Sequence, residues 1–168
     1  MRSVIVGIAA IFLAFLGLFA VLVVDSRIPS DRQVQDRFNR DKPALTELLG
    51  ILSGEPSKIV GVTQHEVMLY DFPNWVPPDK AGFSDEHFAE YKALMGKAHV
   101  IELFRSDGEV NFGFAYWGMA GSGWRLDFAY ITTPPSPLVT SIDSPPTTYS
   151  DANYRPLGGD WYIRLIFE

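Results

Sequence analysis

The sequence predicts an α+β fold: an N-terminal transmembrane helix, then one domain in which helices cover an antiparallel sheet. Three observations carry this expectation. Residues Val4 to Val24 form an unbroken apolar run. Apolar side chains then recur at helical spacing in two segments before residue 98. From Val100 onward the period changes to two, the signature of strands. The chain divides into an anchor (1–24), a linker (25–30) and a single domain (31–168).

The apolar run is 21 residues long and holds no charge. At about 1.5 Å per residue it matches a hydrocarbon core of about 30 Å. A secretory signal has a shorter apolar region followed by small residues. Here the run ends in Val21-Leu22-Val23-Val24-Asp25, which favours an uncleaved anchor over cleavage near Ala20. Gly7, Ala10, Ala14 and Gly17 fall on one helical face, a spacing that suits self-association through the membrane helix. The same spacing also arises by chance, because both residue types are common in membrane helices.

Arg2 is the one charged side chain in the anchor, whereas Arg27, Arg32, Arg37, Arg40 and Lys42 follow it. Those positives pull against export. A short tail before one apolar segment behaves as an export signal, so we expect a single-pass protein of a bacterial inner membrane with its domain in the periplasm.

All 20 acidic residues and 13 of the 14 basic ones lie in the remaining 144 residues, a net charge of −7. An acidic domain of this size repels phosphate backbones, which argues against nucleic-acid binding. There is no cysteine, so disulfides and thiolate chemistry are excluded.

Ser30 and Gln33 have the spacing of a capping box. Val34, Phe38, Leu45, Leu48, Leu49 and Leu52 continue one stripe to Gly54, interrupted by Pro43, where a kink or a break into two helices is expected. Residues 59–62 and 66–70 read as a strand pair or one bent strand, and 71–83 as a loop. Ser84 caps a second helix with Phe88, Tyr91, Leu94 and Met95 on one face. Asp107-Gly108 is a hairpin signal between two strands.

The stretch "WGMAGSGW" (117–124) raises the question of a phosphate-binding loop. Such a loop needs a helix after its glycines. The alternation Trp124, Leu126, Phe128, Tyr130 predicts a strand instead, so the glycines belong to a hairpin and should supply positive φ values. Residues 132–160 read as a proline-rich loop with one short island at 138–143. In the closing strand Trp161, Ile163, Leu165 and Phe167 should face the core and Tyr162 the other way.

Candidate chemistry is sparse. Glu86, His87 and Glu90 lie close on the second helix, but no second ligand pair accompanies them, so neither a metal nor any other cofactor is expected. Ser122 lacks the setting of a nucleophile elbow. Asp107 and Glu109 near the turn have the spacing of paired carboxylates, but turn propensity is enough to explain the aspartate. Most aromatics should be core. Trp75, in the proline-rich loop, and Trp117, opposite in phase to Phe112, Phe114 and Tyr116, are the candidates for an interaction surface.

The order "FAEYKALMGKA" (88–98), "GSGWRLDFAY" (121–130), "LVTSID" (138–143) and "YRPLGGDWYI" (154–163) resembles small, functionally uncharacterised bacterial envelope proteins that are membrane-anchored or lipoprotein-like. The resemblance implies this layout and an envelope location, and no activity. The expected function is a non-catalytic envelope domain acting through protein contacts with another envelope protein or a toxin, in one form an immunity or inhibitor protein. The alternative is a small hydrolase or metal-dependent enzyme with its site near the second helix.

Overall fold

The computed structural model describes residues 27–56, 58–70, 72–106, 108–119, 122–143 and 152–167. The apolar run, with Gly7, Ala10, Ala14 and Gly17, lies outside them. Among the described residues no helix is long and apolar enough to cross a membrane.

Helix α1 (Asp31–Gly54) starts at the expected capping box, in which Ser30 N–H donates to Gln33 Oε1 at 2.8 Å. It runs unbroken through Pro43. Strands β1 (Ile59–Thr63), β2 (Val67–Leu69) and β3 (Phe72–Val76) follow, then a one-turn helix α2 (Pro78–Ala81) and helix α3 (Asp85–Lys97). The segment expected as a loop at 71–83 therefore holds β3 and α2. Pro73 did not prevent a strand there because β3 is a sheet edge, where a missing N–H costs no ladder bond.

Strands β4 (Glu102–Ser106), β5 (Glu109–Met119), β6 (Ser122–Ile131), β7 (Asn153–Gly158) and β8 (Trp161–Phe167) complete one antiparallel sheet of eight strands, ordered β3-β2-β1-β4-β5-β6-β8-β7. The proline-rich segment thus contains β7, again an edge strand and again carrying a proline, Pro156. Leu138 forms a single parallel bridge to Tyr154 of β7.

Helices α1 and α3 cover one face of the sheet. Phe38 of α1 sits 5.5 Å from both Phe128 and Trp161, and Phe114 stacks on Phe128 at 4.3 Å. Val34, Leu45, Leu48, Leu52, Tyr91 and Met95 complete the helical side of this core. Arg105 on β4 fastens the end of α1: its guanidinium donates to the carbonyls of Leu52 and Ile59, both at 2.8 Å. A cation there satisfies carbonyls that the helix end leaves unpaired.

Two sequence expectations change. A bulge between Gly113 and Ala115 shifts the register of β5 against β6. Phe112 lies opposite Phe128, but beyond the bulge Ala115 faces Leu126 and Trp117 faces Trp124. The extra residue flips the phase, so Trp117 packs half-buried against the core and Tyr116 points out, 70% exposed. At the hairpin that follows, Gly123 is not at positive φ. Its role is close approach, because a Cβ there would lie 2.3 Å from the Trp117 carbonyl oxygen.

The other face of the sheet carries no helix among the described residues, yet its centre is buried. Ala129, Ile131, Tyr154 and Tyr162 form a second, smaller cluster there. Tyr162 faces this side, as its phase predicts, and is buried there, 8% exposed.

Candidate functional site: a groove on the uncovered sheet face

Strand alternation places Glu102, Asp127 and Arg164 in one cross-strand row on the uncovered face, with Gly113 between the first two. Asp127 is fully buried, 0% exposed. Arg125 Nε donates to its Oδ1 at 2.7 Å and Arg164 Nη1 to its Oδ2 at 3.2 Å. The chain of charges extends outward: Arg125 Nη1 lies 2.7 Å from Glu102 Oε1, and Arg164 Nε lies 3.7 Å from Glu109 Oε1. Signs alternate from Glu102 through Arg125, Asp127 and Arg164 to Glu109. Burial pushes the Asp127 carboxyl above the ordinary aspartate value, with Arg125 and Arg164 pulling the other way.

Gly113 makes this lattice possible. A Cβ at that position would meet Glu102 Cγ at 3.0 Å, Arg125 Nη2 at 3.2 Å and Asp127 Oδ1 at 3.3 Å. The glycine in mid-strand and the bulge beside it are one device, clearing space for the guanidinium.

Beside the lattice lies a half-open groove of about 690 Å³. Its wall is apolar: Met68, Leu69 and Phe104, the last with Trp75 edge-on at 5.6 Å. Glu109, Asn111 and Arg164 line it as the polar side, and Tyr70 stands at its margin, 77% exposed. Asn111 is 5% exposed. Among the described residues five buried side-chain polar atoms lack a hydrogen-bond partner; Asn111 Oδ1 is here, as are Glu109 Oε1 and Arg164 Nε, which face one another as an ion pair at 3.7 Å. Buried polar groups are ordinarily paired, and each unpaired one lowers stability. The buried, unpaired amide oxygen of Asn111 in a groove of ligand-pocket size marks it as the candidate site.

No family model, curated protein or solved structure matches this chain.

The residues singled out from sequence are dispersed. Trp75 lies on β3, half-buried, buttressing the groove wall through Phe104. Trp117 belongs to the covered face. His87 ties α3 to the end of α1: its Nε2 pairs with Glu55, its Nδ1 lies 3.6 Å from Glu90 Oε2, and its ring stacks on Phe83. The Tyr91 hydroxyl donates to the same Glu55 at 3.4 Å. Glu86 is exposed. Among the described residues no group of three or more acidic or histidine side chains is placed to hold a metal ion. Glu109 reaches the groove, while Asp107 lies outside the described residues. Sequence reasoning missed Asn111, Arg125, Asp127 and Arg164. The available signal was Arg125-x-Asp127 in the outward phase of a core strand, with a glycine inside its neighbour.

Proposed function

We propose that this chain is a non-catalytic recognition domain, tethered in the bacterial inner membrane by residues 1–24, that captures a partner at the uncovered face of its sheet from the periplasmic side. A preformed groove lined by Asn111, whose buried Oδ1 is unpaired, beside the Glu109–Arg164 ion pair, carries the reading. The surroundings support it. Met68, Trp75, Phe104, Tyr116, Arg125 and Arg164 share this face, a composition enriched in contact surfaces. The ionised side chains are locked against each other rather than poised for proton transfer. An immunity or inhibitor protein is one concrete form of such a domain, with a toxin or an envelope hydrolase as its partner.

Site-specific photo-crosslinking in cells tests this. Benzoylphenylalanine replacing Tyr70 should give an adduct, and the same group replacing Ala89, exposed on α3, should not. Adducts at residue 89 alone would move the working surface to the helices. A zinc titration by calorimetry separates the metal-enzyme alternative: stoichiometric binding lost in His87→Ala would overturn the non-catalytic reading.

A further inference from the structure

We infer that the cavity at the start of α1, walled by Arg27, Arg37 and Arg40, is a site for an anionic phospholipid headgroup of the anchoring membrane. The inference rests on the anchoring by residues 1–24 in that reading, and not on the groove.

Chain length sets the location. Arg27 follows the last residue of the apolar run by three positions, a reach of about 11 Å at most. The headgroup layer outside the hydrocarbon is about 5–8 Å deep. An anchored chain therefore carries Arg27 into that layer or to its edge. Ile28 packs against the domain core, so the cavity is fastened at this point of the chain.

Charge sets the class of ligand. The cavity measures about 650 Å³, and no acidic side chain is among the residues that line it. One buried carboxylate serves two of the three arginines: Asp41 lies 2.8 Å from Arg40 Nε and 3.6 Å from Arg37 Nε. Arg27 forms no ion pair among the described residues. The nearby acids of α1 are engaged elsewhere, Asp31 with Arg155 at 3.1 Å and Asp36 with Arg32. Three guanidiniums against one carboxylate leave a local excess of positive charge on an acidic domain. Arg37 is also fixed in place, its guanidinium carbon 4.4 Å from the centre of the Phe114 ring and its Nη2 donating to the His99 carbonyl at 2.7 Å.

A neutral ligand leaves that excess uncompensated, whereas a phosphodiester matches guanidinium in charge and geometry. A soluble anion would have to bind from dilute solution. A headgroup is presented by the anchor itself at high effective concentration. The contact needs only an anionic leaflet, and so holds whichever side of the membrane the domain occupies.

Native mass spectrometry tests this on the full chain in mild detergent, with an equimolar mixture of phosphatidylglycerol and phosphatidylcholine of identical acyl chains. Phosphatidylglycerol should be retained at least about tenfold more than phosphatidylcholine. Arg27→Gln and Arg40→Gln, at exposed positions, should each lower that ratio about fivefold, the worth of one basic side chain at an anionic surface. Lys92→Gln, the same loss of charge on α3, should leave it unchanged. Equal retention of the two lipids by wild type, a ratio unchanged in both arginine variants, or a ratio lowered as far by Lys92→Gln would overturn the inference. So would micromolar binding of inorganic phosphate by calorimetry, which would make the cavity a site for free anions. Alkaline carbonate extraction of cell membranes separates the two levels. Release of the chain sinks the anchoring reading together with the headgroup site, whereas a chain that stays in the membrane but shows no lipid preference sinks the headgroup site alone.

Discussion

Asp127 and Arg164 face one another across β6 and β8, with Arg164 Nη1 donating to Asp127 Oδ2 at 3.2 Å on a face that no described helix covers. A buried carboxylate between two guanidiniums does not imply a large gain in stability, because desolvation opposes the attraction. Burial raises the Asp127 carboxyl above its ordinary value despite Arg125 and Arg164. The same lattice holds Arg164 between Asp127 and Glu109 at the groove.

Asp127→Asn keeps the shape but turns one acceptor into an amide donor facing a guanidinium, and should cost about 1–3 kcal/mol at neutral pH. Asp127→Ala strands both guanidiniums and should cost about 3–5 kcal/mol. The pH dependence has a definite sign. With the folded carboxyl titrating above its unfolded value, the folded state takes up the proton first, so wild type gains stability relative to Asp127→Asn as pH falls toward about 4. Urea unfolding of both proteins at several pH values reads this directly.

Gly113→Val should be destabilising although valine favours strands. Its Cβ contacts Glu102, Arg125 and Asp127 at 3.0–3.3 Å, so the ion lattice must move. A loss of about 1–3 kcal/mol is expected, in the range of overpacked sites. Unchanged stability would show that the lattice yields freely.

The closing strand buries both of its faces at its start. Trp161 lies 5.5 Å from Phe38 and 5.7 Å from Phe112, and Trp161→Ala should cost about 3–5 kcal/mol. Tyr162, packed in the second cluster, should cost more than half as much, about 2–4 kcal/mol on truncation to alanine. Denaturant midpoints of the two variants check the ratio.

Burial, reinforced by Glu55, pushes the Tyr91 phenol far above its ordinary value of about 10. Above that pH the unfolded chain loses a proton that the folded one keeps, so stability falls as pH rises. Tyr91→Phe should remove this part of the alkaline decline. An identical slope in the variant would mean that Tyr91 ionises in place.

The covered face was legible because its residues obey simple periods. Val34, Phe38, Leu45, Leu48 and Leu52 mark α1, and Trp124, Leu126 and Phe128 mark β6. Edge strands β3 and β7 were illegible because Pro73 and Pro156 read as loop unless the edge position is known. Trp117 was misplaced by the bulge, which shifts phase without a strong sequence signature. The groove escaped notice for a different reason. Outward-phase polar residues on a half-covered sheet are expected to be solvated, and nothing in the sequence shows that Asp127 and Asn111 are buried on the side opposite the helices.

The central claim is that Asn111 is kept for a ligand and not for the fold, and equilibrium urea unfolding of Asn111→Val tests it most directly. Valine removes an unpaired buried polar group and suits a strand, so the variant should be as stable as wild type or more stable, by up to about 1–2 kcal/mol. A loss of more than about 1 kcal/mol, beyond the usual scatter of neutral substitutions, would contradict the account and make Asn111 a structural residue.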